Sequence, residues 1–82
     1  MAKGRSTRHQ VKRKLASVHN NLEDAGVHLS WLIKIHKEAH PDLAEALESL
    51  GYMIGQCLVM IEEFWEVTQG KLPQDWRQAA RE

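Results

Sequence analysis

With 82 residues, one cysteine, and 11 basic against 11 acidic side chains, the chain has room for one domain, whose folding buries only about 60 to 65 % of the surface the unfolded chain exposes. The lone Cys57 excludes an internal disulfide staple and fits a reducing, cytoplasmic setting. No window reaches the roughly 20 apolar residues of a membrane span and no apolar leader follows the first charges, so a soluble protein is expected, with self-association as the remaining support for a small core.

The zero net charge hides a dipolar chain. Lys3, Arg5, Arg8, Lys12, Arg13 and Lys14 form a basic N-terminal arm (1–14) with no acid among them. Glu38, Asp42, Glu45, Glu48, Glu62, Glu63 and Glu66 follow with no Lys or Arg between 38 and 70. The whole of 1–82 reads as a single helical-hairpin domain.

Apolar residues recur at Val11, Leu15, Val18, Leu22, Ala25, Leu29 and Leu32, continuing to His36 and Ala39, in alternating steps of four and three. That spacing predicts one helix over about 7–39 with a coiled-coil type of contact. Gly26 and the His19-Asn20-Asn21 stretch are poor interior helix formers and mark where it would kink.

His40-Pro41 ends the pattern, because proline pushes the residue before it out of the helical region and is itself suited to a first helical position. A second helix is predicted over about 41–69. Its seam is Leu43, Leu47, Leu50, Ile54, Cys57, Ile61, Phe64 and Thr68, again in steps of four and three. Gly70 suits its C-terminal cap, and Pro73 opens a short third helix over about 73–81.

Folded back at 40 and 41, the two seams pair His36 with Leu43, Leu29 with Leu50, Leu22 with Cys57 and Leu15 with Phe64. The fold class expected is therefore all-α, an antiparallel helical hairpin. Ala25, Gly26, Gly51 and Gly55 would let the backbones approach closely.

The second helix carries more apolar surface than one neighbour can cover. Met53, Leu58, Met60, Trp65 and Val67 flank its seam, and leaving them in water forgoes roughly 1.5 to 3 kcal/mol each. Leu72, Trp76, Ala79 and Ala80 of the third helix are too few to cover them all. A second copy is the expected solution: a homodimer closing into a four-helix bundle, with those five residues as its interface.

Four features bear on function. The basic arm can neutralise phosphates of nucleic acid without reading sequence, although the hairpin register also sets Lys12, Arg13 and Lys14 beside Glu62, Glu63 and Glu66 for pairing within the bundle. Val27, Trp31 and Ile35 fall largely away from the seam, where a tryptophan can anchor another protein or receive Trp76. His36 and His40 stand four apart, a spacing that suits a shared metal or, more simply, a helix C-terminus. Glu62, Glu63 and Glu66, within "EEFWE", are similar to the first magnesium-binding motif, E-E-x-x-E, of the MazG-type nucleotide pyrophosphohydrolases, which are oligomeric helical bundles. That resemblance implies a metal-dependent hydrolase, but the family's further E-x-x-D carboxylates have no match here, since only Asp75 and Glu82 follow.

Cys57 reads as a small seam residue and not as a nucleophile. The architecture is similar to ROP-type RNA-binding hairpins, without a shared motif. The function expected is a small non-enzymatic binding or regulatory protein. Its expected partners are a second copy, nucleic acid at the arm and another protein at the Trp31 face, with no cofactor, metal, membrane or small-molecule substrate.

Overall fold

The computed structural model describes residues 2–82, with side chains from Thr7 onward. Helix α1 runs Ala2–His36, α2 runs Pro41–Thr68 and α3 runs Trp76–Arg81, with no strand among the described residues. The result is an antiparallel hairpin 59 × 21 × 20 Å in extent. At about 1.5 Å per residue, α1 alone spans most of that length. Gly26 does not interrupt α1, because a long helix with a packed face tolerates the roughly 1 kcal/mol that one glycine costs.

The turn follows the expected chemistry. Its close satisfies both helix ends: the His40 N–H donates to the His36 carbonyl at 2.8 Å, and the Ala44 N–H donates to the His40 carbonyl at 3.0 Å. Pro41 occupies the first turn of α2. Because the chain leaves the helix after His36 and not after Ala39, α1 ends three residues before the predicted limit. At the far end of α2 the N–H groups of Gln69 and Gly70 both donate to the Trp65 carbonyl, at 2.6 and 3.1 Å. Gly70 adopts φ +99°, the left-handed conformation that a glycine cap supplies without strain.

Helix α3 starts later than Pro73. Its cap is Asp75, whose carboxylate accepts from the N–H groups of Arg77 at 3.0 Å and Gln78 at 3.2 Å, satisfying two donors that the helix start leaves open. Trp76 then opens the helix and faces the hairpin.

The hairpin is as predicted in topology, and α1 keeps most of its expected seam, with Leu15, Leu22, Ala25, Leu29, Leu32 and His36 buried or half-buried, but α2 is turned about its axis. Ala44, Leu47, Gly51, Ile54, Leu58, Ile61 and Trp65 are the buried or half-buried residues of α2's packed side. Leu43, Leu50, Cys57 and Phe64, expected to face α1, are exposed. On α1 the departures are Val11 and Val18, which are open, and His19, which is buried in place of its neighbour Val18. On α2 each misplaced seam residue lies one position before a residue that packs, and because Leu47, Ile54 and Ile61 stay on the packed side, the helix as a whole is turned by about 50°.

The rotation is set by Trp65. Only 1 % of its surface remains exposed, and it packs with Ala16 and Ala79 in a core that Leu15, Leu72, Trp76 and Ala80 enclose. Its indole N–H donates to the Lys71 carbonyl at 2.9 Å. A buried indole needs such an acceptor, and the chain beyond Gly70 provides one. Turning Trp65 inward brings Leu58, Gly51 and Ala44 in with it, since they precede it at seven-residue steps, and turns Phe64, Cys57, Leu50 and Leu43 out.

Close packing at the glycines does not occur. A Cβ on Gly26, Gly51 or Gly55 would meet no atom within 4 Å, and these residues line an open groove between α1 and α2 that Arg77 borders.

Candidate functional site

Of the basic arm, Lys3 and Arg5 lie outside the residues whose side chains are described. Arg8 and Lys14 are exposed, while Lys12 and Arg13 are half-buried. All four stand on α1, so their charges are held along a helix. The expected pairing of Lys12, Arg13 and Lys14 with Glu62, Glu63 and Glu66 does not form. Among the described residues the one Lys or Arg paired with a carboxylate is Arg77, with Asp24, while the His19 ring lies 3.7 Å from Glu23 and 3.9 Å from Glu62. No Asp or Glu precedes Glu23 in the chain, so the arm has no acid of its own either.

Beside the arm the C-terminus closes in. His9 Nε2 is hydrogen-bonded to the Glu82 carbonyl, and Lys12, Lys71 and Gln69 border a shallow cleft under Gln78 and Ala79. The start of α1 is thereby braced against α3 while Arg8 and Lys14 keep access to solvent.

The contacts that hold α3 are the part that sequence reasoning missed. His19 and Asn20 are buried, with 3 and 5 % exposure. The His19 ring stacks on Trp76 with centroids 3.7 Å apart and planes 8° from parallel, and Trp76 meets Trp65 edge-on at 5.0 Å. The Asn20 amide donates to the Trp76 carbonyl at 3.0 Å. Arg77 donates to the Asp24 carboxylate at 2.6 Å, and that hydrogen bond and charge raise the guanidinium pKa above its ordinary value. Ala16, Asn20 and Asp24 recur at four-residue steps, a stripe of small and polar residues that is the one sequence signal for a docked third helix.

Trp31, Val27 and Ile35 are open to solvent, at 65, 68 and 49 % exposure. Trp76 does not land there; it is held by His19. Within the acidic cluster Glu62 is half-buried, 3.9 Å from His19, while Glu63 and Glu66 point to water. The His36 and His40 rings lie 5.7 Å apart and tilted, with His40 already outside the helix. Among the described residues no group of three or more His, Cys, Asp or Glu is placed to hold a metal ion, and no helix is long and apolar enough to cross a membrane.

The expected dimer interface needs correction at two of its five residues. Trp65 is enclosed by the chain's own α1 and α3, and Leu58 is half-buried on the side of α2 that packs. Met53, Met60 and Val67 are exposed as expected, at 65, 64 and 85 %. They share the open side of α2 with Leu43, Ala46, Leu50, Cys57 and Phe64. These eight residues step 3, 4, 3, 4, 3, 4, 3 along the helix, a complete second heptad seam.

Compared with protein-family models, with curated proteins and with solved structures, the chain matches none.

Proposed function

We propose that the chain is a small, non-enzymatic, self-associating helical protein that contacts nucleic acid through the start of α1. One observation carries this reading: Arg8, Lys12, Arg13 and Lys14 sit on a helix with no carboxylate paired to them among the described residues. Unpaired cations on a rigid element are the footprint of phosphate binding, in which affinity comes from released counterions and is indifferent to sequence. A two-fold assembly would present two such arms.

The test is binding of a labelled duplex of DNA, and separately of RNA, between 50 and 200 mM salt. Affinity is expected to fall by roughly a factor of ten or more across that range. Changing Lys12, Arg13 and Lys14 together to Ala is expected to weaken binding at 50 mM and to flatten the salt dependence by up to about three phosphate contacts. Binding indifferent to the triple change removes this reading.

A second reading is favoured by the exposure of Trp31 and Val27 on the outer side of α1. As an adaptor or inhibitor, the chain would bury that tryptophan in a partner protein. Trp31→Ala then abolishes capture of the partner while the oligomeric state is unchanged.

A further inference from the structure

The open seam on α2 points to a specific occupant. Two rows compete for the side of α2 that faces α1: Ala44, Gly51, Leu58 and Trp65, or the row one residue earlier, Leu43, Leu50, Cys57 and Phe64. The chain packs the first and leaves the second in water. An isolated hairpin that maximised its own burial along the helix would gain little from Ala44 and Gly51 and much from Leu43 and Leu50. Trp65 sets this choice for the whole of α2, and its consequence is a continuous row of large apolar residues that the hairpin itself leaves without cover.

We infer that this face is covered by a second copy of the chain, and that the two hairpins pack with their turns at the same end. This rests on the self-association proposed above and adds the surface and the arrangement. In a four-helix bundle each helix touches two neighbours roughly a quarter-turn apart. The second seam of α2 is its first seam displaced by one residue, so the two lie about 100° apart. Because the helices are antiparallel, one step back along each turns both toward the same side, so Val11 and Val18 of α1 face the way Leu50 and Phe64 do. Helix α3 does not obstruct it, since it docks at Ala16, Asn20 and Asp24 on the opposite flank. The exposed fractions of the face leave on the order of 700 Å² of mostly apolar surface per copy, about 1,400 Å² for a pair, within the range of stable dimers.

Charge selects the arrangement. With both turns at one end, α1 lies beside the partner's α2, so the two acidic α2 helices stand diagonally, apart from each other. With the turns at opposite ends, α2 would lie beside the partner's α2 in reverse, setting Asp42 and Glu45 against Glu63 and Glu66. Like charges disfavour the second layout.

Met53 and Trp31 are equally exposed on different faces, 65 % each, which makes them a matched pair. Sedimentation equilibrium at tens of micromolar is expected to give twice the single-chain mass for the native chain and for Trp31→Glu, and the single-chain mass for Met53→Glu with helical circular dichroism retained. A single-chain mass for the native protein overturns both self-association and the face. A Met53→Glu dimer, or loss of the dimer in Trp31→Glu, overturns the face alone. A readout that needs no substitution is maleimide labelling of Cys57, which is exposed in one chain and should slow at least tenfold between nanomolar and tens of micromolar protein; an unchanged rate again overturns the face. Under mild oxidant no Cys57–Cys57 link is expected, since the two α2 helices stand diagonally, beyond the roughly 7 Å Cα separation a disulfide allows. An efficient link overturns the same-end arrangement.

Discussion

Phe64 and Trp65 are consecutive aromatic residues with opposite fates, one half in water and the other sealed. Nothing in their own hydrophobicity separates them. What differs is the polar handle: the Trp65 indole has an acceptor in the Lys71 carbonyl and ring partners in the docked α3, whereas Phe64 needs only apolar cover and can receive it from any helix. The comparison shows how a short appended helix with one well-placed tryptophan sets the rotation of a helix 28 residues long.

Removing the sealed member should have the largest effect. Trp65→Ala leaves a void between α1 and α3 and is expected to cost about 3 to 5 kcal/mol, most of the stability of a domain this small. Denaturant unfolding followed by circular dichroism would read it, and a loss below about 1 kcal/mol would mean that α3 does not seal the core. Phe64→Ala sharpens the contrast. In dilute solution, where chains are separate, it should change stability by less than about 0.5 kcal/mol, as for a surface position. At tens of micromolar, with the second seam covered, the same change should cost about 2 kcal/mol or more.

Two smaller effects probe the ends of the account. Asp75→Ala removes the acceptor for two N–H groups at the start of α3 and is expected to cost about 1 kcal/mol. The loss should show as weaker protection of α3 amides from hydrogen exchange. Gly26→Ala has open space for its methyl group and helical backbone, so it is expected to raise stability by about 0.5 to 1 kcal/mol. A decrease would mean that the groove beside Gly51 and Gly55 closes in solution.

The helices and the turn were legible because local chemistry determines them: the four-three spacing, His40-Pro41 and Gly70 each act within a few residues. The hairpin also followed, since two seams of equal length meeting at a proline can close only by folding back. The rotation did not follow, because α2 carries apolar residues around so much of its circumference that two heptad readings one residue apart both look complete. Choosing between them requires knowing that α3 docks on the His19-Asn20 face, a contact made across 56 residues of chain. The charge dipole was visible in the sequence; that the basic arm and the Glu62, Glu63 and Glu66 cluster do not pair within the hairpin was not, since it depends on the same rotation.

The native chain's solution mass across dilution decides whether two copies pack through the open seam of α2. Twice the 9.4 kDa of one chain is expected at tens of micromolar, falling toward one chain as concentration drops. A single-chain mass throughout that range would contradict it.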